Sequence, residues 1–173
     1  MTSASRAPST LRALVVGLGN AQRRDDGVGL VVARSLQAGG DRAPDVVEVS
    51  DDLLALLDLW AERPLAIVVD AIRSGRPPGT VVRLEGSATE AIPAVLATST
   101  HGLSLADGVG LGRALGRLPR RLVVYGIEAG DLAVGWGLSA PVERAVPEAV
   151  AQIRDELLRS ATGSPDRGTP THA

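Results

Sequence analysis

Two kinds of apolar spacing alternate along the chain: short unbroken runs, and stretches in which apolar residues recur every three or four positions. "LRALVV" (11–16) is of the first kind and predicts a buried strand ending at Gly17. "DGVGLVVARSL" is of the second, with Val28, Val32 and Leu36 on one helical track. "VVEV" (46–49) predicts a second strand. "DDLLALLDLWAE" predicts a helix capped by Asp51 or Asp52, with Leu53, Leu56, Leu57 and Trp60 on one face. "LAIVVDA" (65–71) is the most continuously apolar segment and predicts a central strand covered on both sides. After the turn "SGRPPGT", the strand "TVVRLE" (80–85) is expected to pair beside it.

The rest of the pattern is less even. Gly86 to Thr100 is irregular, with one helical turn expected around "IPAVLA". "HGLSLADGVGLGRALG" reads as a glycine-rich helix and "RLVVYGIE" (121–128) as another interior strand. Val142, Val146, Val150, Ile153 and Leu157 keep helical spacing, and Pro147 predicts a kink or the start of a new helix. Strands alternating with helices in this way predict an α/β fold: a single-domain three-layer sandwich with a twisted, mostly parallel sheet and helices on both faces. Residues 1–10 and the tail 161–173 are small, polar and rich in proline and glycine, and are expected to be poorly ordered.

Composition narrows the chemistry. A 173-residue chain that is 45% hydrophobic suits one substantial core. A net charge of −2 and only Trp60, Tyr125 and Trp136 as aromatics argue against a nucleic-acid partner. The absence of lysine removes a Schiff-base or P-loop lysine. The absence of cysteine removes thiol nucleophiles, disulfides and thiolate metal sites. No apolar run has the length of a membrane span, and the first ten residues lack the apolar stretch of a signal peptide, so a cytoplasmic location is expected.

In sheets of this type ligands gather beyond the carboxyl ends of the strands. Three polar residues fall there: Asp26 in the loop after the first strand, Asp70 at the end of the central strand, and His101 after the irregular segment. Two carboxylates and an imidazole suit a divalent cation such as nickel or zinc. Each also has a plainer reading. Asp25 or Asp26 suits a helix N-cap, Asp70 suits a loop cap or a pair with Arg73, and His101 suits a turn. Gly17-Leu18-Gly19 begins like a dinucleotide fingerprint, but Gln22 stands where a third glycine belongs. Adjacent aspartates at the helix mouth would also repel a pyrophosphate, so a nucleotide-binding α/β protein is disfavoured. Gly17 and Gly19 permit a sharp turn. Asn20 suits a hydrogen bond within that turn better than a bond to substrate. Gly27 and Gly29 suit a close approach of the helix start, and Arg23 and Arg24 read as a solvated pair or as an attractor of an acidic segment.

Taken in order, "GLGNAQRRDDGVG" (17–29), "IVVDA" (67–71), "THGLSLAD" (100–107), "VVYGIE" (123–128) and "GLSAPVERAVPEAV" (137–150) give the chain a resemblance to the hydrogenase maturation endopeptidases. The likeness spans roughly residues 11–158, within a domain taken as 11–160. It implies an aspartic-type endopeptidase that activates another enzyme. Such a protease removes the C-terminal extension of a nickel–iron hydrogenase large-subunit precursor once nickel is inserted. The nickel would come with the precursor and be contacted by Asp26, Asp70 and His101, with zinc or cadmium able to occupy the same place. Gly17, Gly19, Asn20, Asp25 and Gly27 would support the loop or the substrate, and Asp25 would back Asp26 or substitute for it. Some members carry glutamate at the position of Asp26, and many carry proline near residue 129, where "EAGDLAVGWGLS" departs. Whether nickel activates the water or only positions the chain is left open by the sequence. A non-catalytic module that senses the nickel-loaded precursor is the alternative.

Overall fold

The computed structural model describes residues 13–37, 44–50, 52–86 and 104–161. The termini, His101 and the expected helical turn around "IPAVLA" lie outside the described residues. Among the described residues five strands form one sheet: β1 (Leu14–Leu18), β2 (Asp45–Val49), β3 (Ala66–Ile72), β4 (Val81–Gly86) and β5 (Leu122–Glu128). Their order is β2-β1-β3-β5-β4, parallel throughout except for the antiparallel edge strand β4. The helices of the described residues are α1 (Val28–Leu36), α2 (Leu53–Trp60), α3 (Leu105–Ala114) and α4 (Ala140–Ala161).

The alternating faces of the strands build two cores. Val15, Ile67, Val69, Val123 and Tyr125 pack with Val28, Val32 and Leu36 of α1 and with Val142, Ala149 and Ile153 of α4. On the other face Leu14, Val16, Val68 and Val124 pack with Leu56, Leu57 and Trp60 of α2 and with Leu105 and Val109 of α3. β1, β3 and β5 are buried on both sides, which is why their sequences are unbroken apolar runs. Asp52 caps α2 by accepting from the Ala55 N–H at 3.1 Å. Ser104 and Asp107 form a reciprocal capping box that starts α3.

Four expectations need correction. β1 does not stop before Gly17: that residue and Leu18 continue the ladder, because a missing side chain lets α1 lie directly on the strand. A Cβ at Gly17 would strike the Gly29 carbonyl and come within 2.7 Å of the Ala33 Cβ. β4 pairs with β5, not with β3. The second flank of β3 is taken by the wholly apolar β5, which leaves the shorter, more polar β4 the edge of the sheet. Pro147 neither ends nor restarts a helix, since α4 runs through it as one element. The hydrogen bond it forfeits would have gone to the Glu143 carbonyl, and both residues face solvent, where water can substitute. Finally, neither Asp25 nor Asp26 caps a helix: a 3-10 turn (Arg24–Gly27) precedes α1 and no side chain caps either element.

Candidate active site

The strand order reverses between β1 and β3: the chain leaves β1 for β2 on one side and later returns to β3 on the other. Loops after these two strands therefore diverge and open a crevice at their carboxyl ends. The loop after β1 carries Asp26, and Asp70 sits on β3 one residue beyond the Gly17–Val69 pair.

The β1 loop is held tightly. Gly19 has φ 137°, a conformation in which a Cβ would collide with the Asp26 carbonyl. Asn20 uses its side-chain oxygen to accept from the Gln22 N–H at 2.8 Å, and its own N–H donates to Asp26 Oδ2 at 3.1 Å. Asn20 is thus engaged within the turn. The 3-10 turn then packs against β3, bringing Asp26 toward Asp70. Both acids are partly buried. Burial pushes the Asp70 carboxyl up to about 7, with repulsion from the Asp26 carboxylate adding to the rise and a hydrogen bond from the Ala71 N–H opposing it. Arg73 makes no ion pair with Asp70 among the described residues, so the plainer reading of this acid finds no support.

Asp25 behaves in the opposite way to its neighbour. It is fully buried and accepts from the Gly130 N–H (2.8 Å), the Asp131 N–H (2.8 Å), the Ser139 N–H (2.6 Å) and the Ser139 hydroxyl (2.8 Å). Burial alone would raise its pKa, but these donors outweigh it and hold the carboxyl below the ordinary value. With both oxygens occupied, Asp25 fastens the 129–139 segment to the β1 loop and has no room to replace Asp26. Arg23 and Arg24 serve the same junction. Arg23 bridges Gly135 and donates to the Leu132 carbonyl at 3.3 Å. Arg24, at φ 47°, donates its N–H to the Gly135 carbonyl and pairs with Asp131 at 3.3 Å. Both arginines are thus engaged within the molecule, not a merely solvated pair.

Two acids were missed in the sequence. Glu128 ends the apolar run of β5, is buried, and collects the Ser74 N–H and hydroxyl and the Gly75 N–H, closing the turn after β3. Glu156 continues the inward track of α4 and meets Arg83 and Arg121, each at 2.8 Å. A carboxylate interrupting an apolar register was the available signal in both cases. Among the described residues no group of three or more acidic or histidine side chains is gathered as a metal site. Asp26 and Asp70 supply two donors, and His101 lies outside the described residues.

The family model for hydrogenase maturation proteases matches residues 33–156, beginning inside α1 and so leaving the Asp25–Asp26 loop outside the match. The hydrogenase 2 maturation protease of Escherichia coli K12 is 32% identical over 156 residues, covering 87% of this chain and 93% of that one. The chain belongs to the hydrogenase maturation proteases. Its fold agrees with solved members of that family. The maturating endopeptidase HybD of E. coli aligns with a TM-score of 0.74 at 31% identity, covering 87% of this chain and 94% of the other. HybD of Thermococcus kodakarensis aligns with a TM-score of 0.65 at 30% identity, covering 85% and 99%. As a maturation protease the chain must hydrolyse an amide without cysteine or lysine. In the Asp26–Asp70 crevice one carboxyl group raises the pKa of the other, on top of the effect of burial. No helix among the described residues is long and apolar enough to cross a membrane.

Proposed function

We propose that this protease removes the C-terminal extension of a nickel–iron hydrogenase large-subunit precursor after nickel has been inserted, and that it reads the presence of nickel in its substrate. The observation that carries the reading is the placement of Asp26 and Asp70 together at the switch point of the sheet, where burial first and the Asp26 charge second raise the Asp70 pKa. Such a pair is costly without a cation and favourable with one. Asp26 and Asp70 would hold the ion, and His101 is assigned as the third contact on the sequence resemblance. The ion arrives with the substrate and, when bound, links enzyme to precursor and polarises what it touches. Zinc or cadmium would serve as stand-ins for the same donors.

The remaining work belongs to the chain's own groups. The raised pKa of Asp70 belongs to the ion-free crevice, and a dication held there would keep both carboxylates in their charged form. The Asn20 N–H fixes the Asp26 carboxylate on the crevice wall, so that binding does not have to order it. Asp25 keeps the neighbouring segment in place without entering the chemistry. Cleavage would then wait for nickel, because without it the two acids repel each other and the substrate segment has nothing to be anchored by.

The test is to mix the purified chain with nickel-loaded and nickel-free precursor and follow loss of the C-terminal peptide by mass. Release from the loaded form alone supports the proposal. Equal release from both forms, or unchanged release by Asp26→Asn, Asp70→Asn and His101→Ala, overturns it.

A further inference from the structure

The 130–137 segment carries two large apolar side chains into solvent: Val134 is 86% exposed and Trp136 73%. Single exposed apolar residues are ordinary. These two differ in how they are held. Gly135, between them, exchanges backbone hydrogen bonds with Gln22 and Arg24, so the exposed pair rides on the same loop that presents Asp26. The root of the segment is fixed by Asp25 and lies against Pro78, 3.1 Å from where a Gly130 Cβ would stand. That contact joins it to the turn leaving β3. On that turn Arg73 and Arg76 are exposed and make no ion pair among the described residues, a few positions beyond Asp70. The Gly130–Pro78 contact therefore links a segment that exposes an aromatic and an aliphatic side chain to a turn that exposes two guanidinium groups.

We propose that this face docks the precursor segment bordering the scissile bond, and that the segment carries an apolar side chain for Trp136 and Val134 and a carboxylate for Arg73 and Arg76. This rests on the function proposed above and names the enzyme's part in recognising the substrate. A pre-fixed aromatic is the side chain that most often anchors an interface, and fixing it beforehand removes an ordering cost from binding. The two arginines set the sign of the partner: an acidic segment is attracted and a basic one repelled. The apolar area on offer, on the order of a few hundred Å², falls well short of the roughly 800 Å² per partner of a stable dimer. A peptide segment fits it and a second copy of this chain does not.

The experiment measures cleavage of nickel-loaded precursor against precursor concentration for the wild type, Val134→Ser/Trp136→Ala and Arg73→Glu/Arg76→Glu. All four residues are exposed, so melting temperatures should match the wild type. The expected result is a KM raised about ten-fold in each variant with kcat within about two-fold. The arginine variant should lose the salt sensitivity of KM as well. An unchanged KM, a loss of kcat alone, or a change of oligomeric state in the Trp136 variant overturns the docking face. In parallel, binding of the same precursor to Asp70→Asn is compared with binding to Asp70→Asn/Trp136→Ala. If the wild type fails to cleave but the second of these binds about ten-fold more weakly, the proposed reaction is wrong and the docking face stands. If the wild type cleaves and the two bind equally, the docking face alone is wrong.

Discussion

Two acids at opposite ends of the sheet show what this molecule does with a carboxylate. Glu156 lies on α4 near the amino end of β5, buried among Arg83, Arg121 and Arg159 with the Tyr125 hydroxyl beside it. Burial opposes its charge, but the three guanidinium groups overcome this and bring its pKa down to about 2. Asp70, at the carboxyl end of β3, is also desolvated, yet its charged neighbour is Asp26 and its pKa rises to about 7. The same cost of burial is met by cations at one end and left unmet at the other. The compensated carboxylate ties α4 to β4 and β5. The uncompensated one is where the proposed cation would bind.

That contrast is broken most strongly by neutralising each acid in turn. Asp26→Asn and Asp70→Asn should lower the rate of precursor cleavage at least about a hundred-fold, near 3 kcal/mol in the barrier, with circular dichroism unchanged. Glu156→Gln should leave the rate per folded molecule within about two-fold, because it removes no group from the crevice. Equal losses in the two sets would show that both ends serve only stability.

The next effect is on stability. Glu156→Gln leaves Arg83 and Arg121 facing a neutral amide and should cost about 2–3 kcal/mol, read from the urea midpoint. A lowered pKa stabilises the fold above the ordinary value of 4.5 and ceases to do so as the pH falls toward 2. The wild type should therefore lose its advantage over the variant between about pH 4.5 and 2. A constant difference across that range would show that lost packing, not charge, is responsible.

How much of this was legible beforehand depended on the reach of each interaction. β3 and β5 were readable because strands buried on two faces must be apolar throughout, and α2 because Leu56, Leu57 and Trp60 repeat at helical spacing. Asp26 and Asp70 could be placed at one edge of the sheet because each follows or ends a strand in the sequence. Asp25 was misplaced as a possible substitute ligand, since its partners, Gly130, Asp131 and Ser139, lie more than a hundred residues away and three of its four hydrogen bonds come from backbone N–H groups. Backbone donors have no sequence signature. The same holds for Arg23 and Arg24, whose anchors are mainly the carbonyls of Leu132 and Gly135. The edge position of β4 was hidden because pairing is decided by competition for the flank of β3, and a hydrophobic pattern records burial but not the identity of the neighbour.

The smallest expected effect is the most discriminating, because it has a sign that a purely structural acid would not give. Asp70 has a folded pKa near 7 against an ordinary value of 3.8, so the folded chain holds a proton that the unfolded chain has lost across that window. Stability of the wild type, measured with a chelator present, should therefore fall as the pH rises from about 4 to 7 and level off above. Asp70→Asn keeps the shape and removes the charge. It should match the wild type near pH 4 and exceed it by about 1–2 kcal/mol at pH 8, allowing for partial solvation of the carboxyl. A protease more stable without its own acid, yet inactive, would identify Asp70 as held against the preference of the fold for the sake of the reaction. A variant less stable than the wild type at pH 8 would instead make Asp70 a second Glu156 and remove the crevice as a place that waits for a cation.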